Sequence, residues 1–147
     1  MKHFLLYTYL LLTLPAVSSA QKVVSITIDG TINPVAAEFI HNGIKKAVDE
    51  KAECLLIHLN TPGGLLQSTR TIVSSMLESP VPVVVYIAPA GAHAGSAGVF
   101  ITLAANIAAM APGTNIGAAH PVQLQGGMDT IMNEKATNDA ATPLEAL

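Results

Sequence analysis

The chain has 147 residues, which is enough for one domain and too few for two of ordinary size. Hydrophobic residues make up 50% of the sequence and charged residues 12%, so the composition excludes an intrinsically disordered chain. The formal charge of −3 and the 4% aromatic content exclude the basic face and the stacking platforms that nucleic acid binding uses. The single cysteine, Cys54, excludes an internal disulfide, and we expect it to be a small buried hydrophobe.

Residues 1–20 have the pattern of a secretory signal peptide. A short basic start is followed by an apolar run at residues 4–14, and Ser18 and Ala20 provide small side chains at positions −3 and −1 of a cleavage site. We therefore expect cleavage before Gln21 and an exported mature chain. The alternative is a retained N-terminal membrane anchor, for which the run is short because a membrane span needs ~20 residues.

After residue 20, segments with the pattern of strands alternate with segments with the pattern of helices. Apolar and β-branched runs predict strands at residues 23–28, 54–59, 83–87 and 108–111. Helical spacing predicts helices at residues 36–48, 65–77 and 96–107, the first of them preceded by the capping pair Asn33 and Pro34. This order predicts an α/β domain with right-handed crossovers.

The apolar stretch at residues 97–111 also has some features of a membrane span. Its 15 residues are too few to cross a bilayer, and it contains Asn106, so a buried helix is the favoured interpretation. Residues 88–95 are rich in Gly and Ala and predict a loop. A last helix is predicted to begin near Met128.

Two glycine-bearing loops follow the second and third predicted strands, at the edge where open parallel sheets bind their ligands. The 60–64 loop contains Gly63 and Gly64, whose bare backbone can turn N–H donors toward an oxyanion. The 91–98 loop carries Ser96 at the point where the loop becomes a helix, next to free N–H groups. Together the two loops suggest acyl transfer with a serine nucleophile.

A serine nucleophile needs a base, and two loop histidines are candidates. His93 and His120 both lie in predicted loops, and His93 is near enough to Ser96 to line the same cleft. No acid is placed to orient His93, and the Gly-x-Ser-x-Gly pattern is incomplete because residue 94 is alanine. His58 lies inside the second predicted strand and is expected to be a core residue. The histidine spacing does not fit a metal site, so no metal is expected.

The other candidate base is Lys135. A lysine acts as a base only when it is neutral, which requires desolvation to lower its pKa well below the ordinary value of ~10.4. Ile131 and Met132 could provide an apolar setting, whereas Glu134 and Asp139 favour the charged form. The residues alone therefore leave the choice between lysine and histidine open.

Four segments resemble the NfeD-type membrane-associated serine proteases of the ClpP class, which are related to signal peptide peptidase A. The matching segments are DGTINPVAAEFI, LNTPGG, NEKATNDAA and PVVVYIAPAGAHAGSAGVFITLAANIAAMAPGTNIGAAHPV. Together they cover most of residues 29–141. The resemblance implies that residues 21–147 form a protease domain built as a ClpP/crotonase-like spiral of β-β-α units, with a mostly parallel sheet.

The same resemblance implies roles for single residues. Ser96 would attack the peptide carbonyl and Lys135 would be the general base of a Ser–Lys dyad. The oxyanion hole would be formed by the backbone N–H groups of Gly64 and Ala97. The residues expected to contact the substrate are Gly63, His93 and Gly95. Proteases of this kind act on hydrophobic segments of stomatin-like membrane proteins, need no cofactor and assemble into oligomers, so the resemblance implies a homo-oligomer.

Members of this family continue well past the lysine, whereas this sequence ends at Leu147. We therefore expect the protease domain to be incomplete at its C-terminus. The predicted function is that of a serine endopeptidase, exported and membrane-associated. Two other function classes stay open. One is a non-catalytic membrane-protein scaffold or binding module. The other, less favoured, is a crotonase-type acyl-CoA hydratase or isomerase, which needs a positioned acid and a cytoplasmic thioester.

Overall fold

The structure is a computed structural model that describes residues 21–117. In chain order its elements are β1 (Val23–Asp29), α1 (Pro34–Asp49), β2 (Cys54–Asn60), α2 (Leu66–Leu77), β3 (Val83–Ile87), β4 (His93–Gly95), α3 (Ala97–Leu103), β5 (Ile107–Met110) and β6 (Asn115–Gly117). The predicted signal peptide, His120, the helix predicted near Met128 and Lys135 lie outside the described residues. Among residues 21–117, none of the helices has the length and hydropathy needed to cross a membrane.

The main sheet is parallel and has the strand order β1-β2-β3-β5. In β2 the side chains of Leu55, Ile57 and Leu59 are fully buried, and the residues between them are half-buried. Strand β3 alternates in the same way. Because successive side chains of a strand point to opposite faces, the buried set lies on the face that joins the helices in one hydrophobic core. The predicted α/β class with a parallel sheet is confirmed.

Helix α1 begins where the sequence predicts. The side-chain oxygen of Asn33 accepts a hydrogen bond from the N–H of Ala36 at 3.0 Å, and Pro34 occupies the first turn, where a missing N–H costs nothing. On its inner face, Gly43 allows close approach to the sheet, because a Cβ at that position would lie 3.1 Å from the side chain of Ile26. The cap and the glycine together determine where α1 begins and how closely it packs.

Each long strand is followed by a short extended segment that belongs to a second layer. Strand β4 pairs with β6 in parallel, and isolated bridges join Ile32 to Gly64 and Thr61 to Ala94. The chain therefore repeats a long strand, a short extended segment and a helix. This repeat is the spiral of β-β-α units that the resemblance implied.

The third helix is shorter than predicted, and strand β5 begins earlier. Helix α3 ends at Leu103, because Asn106 directs the chain into the sheet. The N–H of Asn106 donates to the carbonyl of Val83 at 3.0 Å, and its side-chain oxygen accepts the N–H of Val83 at 2.8 Å. The predicted loop at 88–95 is also wrong in its last three residues, which form β4. A strand of three residues is too short to show alternation in the sequence.

Two side chains predicted to be buried in the core are not. Cys54 and His58 are half-buried, because they alternate along β2 with Leu55 and Ile57 and so point to the opposite face of the sheet. There the ring of His58 contacts Tyr86 edge-on, with 5.7 Å between ring centroids. The apolar run in the sequence does not reveal which face the helices cover.

We predict opposite effects for two asparagines of the first helical unit. Replacing Asn33 by alanine removes the cap of α1 and should lower the free energy of unfolding by about 1 kcal/mol. Replacing Asn42 by alanine, at an exposed position in the middle of α1, should raise it by about 0.5 kcal/mol, because alanine has the higher helix propensity. Urea unfolding of both variants tests this, and two changes of the same sign would contradict the capping role.

Candidate active site

Ser96 lies at the tight turn between β4 and α3. Its backbone has φ 46° and ψ −107°, a conformation that is strained for a residue with a Cβ atom. A strained strand-to-helix turn of this kind exposes the side chain of a nucleophile. The turn forms although the Gly-x-Ser-x-Gly pattern is incomplete. A Cβ at Gly98 would lie 3.1 Å from the Cβ of Ala94, so the glycine at 98 leaves room for alanine at 94.

The two glycine-bearing loops meet at this serine. A Cβ on Gly63 would lie 2.7 Å from the Cβ of Ser96 and 3.3 Å from its Oγ, so the bare backbone of Gly63 packs against the serine side chain. Gly63 also has φ 123°, which favours glycine for a second reason. The backbone N–H of Ser96 donates to the carbonyl of Gly117 at 3.1 Å, which fixes the serine from the other side.

Backbone hydrogen bonds of Thr61 join the 60–64 loop to β4. The N–H of Thr61 donates to the carbonyl of His93 at 2.7 Å, and the N–H of Gly95 donates to the carbonyl of Thr61 at 2.9 Å. The side chain of Asn60 extends this junction, since its oxygen accepts the N–H of His93 at 3.0 Å and its amide donates to Asp29 at 2.9 Å. The ends of β1 and β2 are thereby tied to the strand that leads into Ser96.

Three hydrogen-bonding groups at the site have no partner within residues 21–117. They are the hydroxyl of Ser96 and the backbone N–H groups of Gly64 and Ala97. A nucleophile with two unpaired donors beside it is the arrangement that acyl transfer uses. Gly64 must be glycine for a separate reason, because a Cβ there would collide with the backbone of Ile32. A bulky residue at position 64 would therefore disrupt packing before it affected any donor.

His93 lies beside the serine turn, but its ring is already engaged. Its Nδ1 is hydrogen-bonded to the side-chain oxygen of Asn115, the residue opposite it in the β4–β6 pair. The other side of the ring lies against Gly95, where a Cβ would collide with Nε2 and approach the carbonyl oxygen of Pro62 to 2.9 Å. His93 and Gly95 thus form one wall next to Ser96.

The sequence reasoning missed four residues that build the site: Asp29, Asn60, Thr61 and Asn115. The first three carry a usable signal, because they are polar residues at or directly after the carboxyl ends of β1 and β2, where a parallel sheet places its site. Asn115 carries none, since its importance depends on the pairing of β4 with β6.

The ion pair between Lys22 and Glu50 belongs to the other end of the sheet. The Nζ of Lys22 lies 3.0 Å from the Glu50 carboxylate, and this hydrogen bond holds the pKa of Glu50 below its usual range. Lys22 precedes β1, whereas Ser96 lies near the carboxyl ends of the strands. This pair therefore does not contribute to the electrostatics of the site.

The strain at Ser96 predicts that glycine is more stable than alanine at this position. Ser96→Gly should unfold with a free energy about 1 kcal/mol higher than Ser96→Ala, because relief of strain exceeds the entropy cost of glycine. The matched pair is Ser74→Gly and Ser74→Ala, at an exposed position within α2, where glycine should be less stable by about 1 kcal/mol. Equal stabilities of the two position-96 variants would contradict the strain.

Comparison with known proteins finds one matching family and two relatives of similar sequence. The family described as NfeD1b, N-terminal domain, matches residues 22–141. The membrane-bound protease PH1510 of Pyrococcus horikoshii is 37% identical over 123 residues, which are 83% of this chain and 28% of that protein. The membrane protein NfeD1b of Bacillus subtilis is 34% identical over 113 residues, which are 77% of this chain and 25% of that protein. The chain thus spans about a quarter of the length of these relatives.

Solved structures agree with this relationship. A serine-to-alanine variant of the 1510-N membrane-bound stomatin-specific protease has a TM-score of 0.78 and 32% identity, covering 88% of this chain and 63% of that one. A lysine-to-alanine variant in complex with a substrate peptide has a TM-score of 0.77 and 31% identity, covering 88% and 60%.

A more distant structure shows the fold alone. ClpP1 from Listeria monocytogenes has a TM-score of 0.60 at 21% identity, covering 84% of this chain and 67% of that one. The predicted ClpP-like fold is confirmed by this match and by the 1510-N structures. From the match over residues 22–141 and from these relatives, we conclude that the chain belongs to the NfeD1b N-terminal domain family.

Proposed function

We propose that residues 21–147 form a serine endopeptidase domain in which Ser96 is the nucleophile. The observation that carries the proposal is the strained Ser96 turn, whose hydroxyl and two neighbouring N–H groups have no partner within residues 21–117. The relative PH1510, named as a membrane-bound protease, supports the same reaction class. Peptide hydrolysis by a serine uses a nucleophilic hydroxyl and two oxyanion donors, which are the groups that residues 21–117 leave without a hydrogen bond.

The reaction would follow from the geometry around Ser96. Its Oγ attacks the peptide carbonyl, and the negative charge that develops on the carbonyl oxygen is stabilised by the N–H groups of Gly64 and Ala97. The general base takes the Oγ proton during the attack and gives it to the nitrogen of the breaking C–N bond, so that the amine leaves and an acyl-enzyme remains. The same base then takes a proton from water, which hydrolyses the ester and returns Ser96 to its hydroxyl form. Gly63 and Gly95 are proposed to contact the substrate because both pack directly around the serine, Gly63 against its side chain and Gly95 against the ring of His93. His93 would line the same cleft.

We propose Lys135 as the general base, completing a Ser–Lys dyad. The segment that contains it falls within the family match, and a relative's structure with a substrate peptide is that of a lysine-to-alanine variant. For this role the lysine must be neutral, although Glu134 and Asp139 are close in sequence. The competing base is His93, whose bonded partner Asn115 could orient its ring. The two mechanisms differ in which variant loses activity.

The proposed substrate is an apolar segment of a membrane-associated, stomatin-like protein. The 1510-N relative is named stomatin-specific, and the residues that adjoin the site include two exposed apolar side chains, Leu65 next to Gly64 and Ile116 next to Gly117. We further propose that residues 1–20 act as a signal peptide, that the domain is exported and membrane-associated, and that it works as a homo-oligomer without a cofactor. A non-catalytic scaffold or binding module is the second candidate, and it predicts no hydrolysis at all.

The dyad predicts that Ser96→Ala and Lys135→Ala each reduce peptide hydrolysis to background. The double variant should be no worse than either single variant, because the two residues act as one unit. In the wild type, kcat/KM should rise with pH through the lowered pKa of the lysine, whereas a histidine base places the rise near ~6.5. Lys45→Ala, at an exposed position on α1, is the matched control and should keep wild-type kinetics.

Two outcomes would replace this mechanism. A fully active Ser96→Ala variant would remove the serine from the reaction, whereas a wild-type chain without any hydrolysis would favour the scaffold function. An active Lys135→Ala variant together with an inactive His93→Ala variant would show a Ser–His mechanism instead. Each assay should also be run on a chain extended to the length of the relatives, since this chain spans about a quarter of them.

The apolar surroundings of Ser96 predict the cleavage preference. In a mixed peptide library, cleaved bonds should be flanked by aliphatic or aromatic residues, and acidic residues should be depleted because the chain is itself net negative. The library treated with Ser96→Ala supplies the background to subtract. A profile dominated by charged residues at the cleaved bond would contradict the proposed substrate class.

A further inference from the structure

Thr61 is fully buried in the 60–64 loop, although it is polar. Its backbone N–H and carbonyl are both used in the bridge to β4, through His93 and Gly95. Its side chain makes a second, separate set of contacts within the loop. A buried hydroxyl of this kind needs hydrogen-bond partners, and its partners indicate which part of the loop it holds in place.

The hydroxyl of Thr61 bonds both peptide groups that flank Gly63. It accepts a hydrogen bond from the N–H of Gly63 at 3.1 Å and donates one to the carbonyl oxygen of Gly63 at 3.2 Å. The same carbonyl also accepts the N–H of Ile32 at 2.8 Å. Gly63 is the most flexible kind of residue, with φ 123°. Because Gly63 has no side chain to limit its backbone angles, these hydrogen bonds hold its backbone conformation.

The restraint on the Gly63 carbonyl also sets the direction of the Gly64 N–H. The two groups belong to one planar trans peptide unit, so they point in opposite directions. Because the Thr61 hydroxyl and the Ile32 N–H hold the carbonyl, the Gly64 N–H points away from both of them. Within residues 21–117 it meets no acceptor. An unpaired donor that is held by bonds on the opposite side of its peptide is preorganised.

We propose that Thr61 is a positioning residue of the oxyanion hole: its hydroxyl orients the Gly63–Gly64 peptide so that the Gly64 N–H is aimed at the oxyanion formed at Ser96. This inference rests on the proposed protease function. A donor fixed before the reaction acts on the developing charge more than on the bound substrate. The hydroxyl of Thr61 therefore contributes to kcat and contributes little to KM.

The methyl group of Thr61 has a different contact, which allows its role to be separated. Its Cγ2 packs against Gly98 of α3, where a Cβ would lie 2.8 Å away. Thr61→Val keeps a methyl at this contact and removes the hydroxyl. Thr61→Ser and Thr61→Ala both lack the methyl and differ from each other only in the hydroxyl. The hydroxyl can therefore be tested in two pairs, wild type against Thr61→Val and Thr61→Ser against Thr61→Ala. If one variant fails to fold, the other pair still measures the effect of the hydroxyl.

The test measures kcat and KM of the full chain on an apolar peptide, with folded protein quantified by thermal melting. Thr61→Val should lower kcat about 10- to 100-fold relative to wild type, the loss typical of a misplaced catalytic group, with KM little changed. Thr61→Ala should be similarly lower than Thr61→Ser. A peptide aldehyde, which forms a tetrahedral adduct with serine, should lose affinity in parallel with kcat.

Thr69→Val is the matched control. Thr69 is also buried, and its hydroxyl donates to the carbonyl of Leu65 at 2.9 Å, an acceptor that already receives the N–H of Thr69 itself. Removing this hydroxyl leaves that carbonyl paired, so kcat should stay at the wild-type value.

The outcomes separate this inference from the proposed function. Wild-type kcat in Thr61→Val or in Thr61→Ala overturns the inference and leaves the protease intact. Equal losses in Thr61→Ser and Thr61→Ala also overturn it, since the methyl group would then be the part that matters. A wild-type chain whose hydrolysis does not depend on Ser96 overturns the proposed function and this inference together.

Discussion

The backbone bridge between Thr61 and β4 is the contact on which the site depends. The carbonyl of His93 and the N–H of Gly95 are both bonded to Thr61, so the end of β2 is joined directly to the strand that leads into Ser96. Without this bridge, the 60–64 loop and the serine turn would be two independent loops on one sheet. With it, the backbone of Gly63 lies in contact with the serine side chain.

The elements that the sequence predicts well are those whose pattern is long enough to read. In strands β2 and β3, buried and half-buried residues alternate over the whole strand. In helix α1, buried residues recur at helical spacing over several turns, and the cap at Asn33 lies next to the helix in the sequence. Strands β4 and β6 have three residues each, and they exist because they pair with each other. The end of α3 likewise depends on Asn106, whose partner Val83 belongs to another strand.

The site shows the same division. The two loops could be predicted because the carboxyl ends of parallel strands share one edge of the sheet. Their contacts could not, since they depend on register. Asn60 bonds Asp29, 31 residues away, and His93 bonds Asn115, 22 residues away. Common polar residues at the ends of strands can be recognised as parts of a site only after the strand pairing is known.

The backbone conformation of Ser96 sets stability and reactivity against each other at one position. Serine there keeps a strained φ of 46° that glycine would adopt without penalty. Selection for a stable domain alone would therefore favour glycine at this turn, and only selection for a hydroxyl would keep serine. In a lineage of relatives that no longer uses the serine hydroxyl, we therefore expect glycine to replace serine at the equivalent turn.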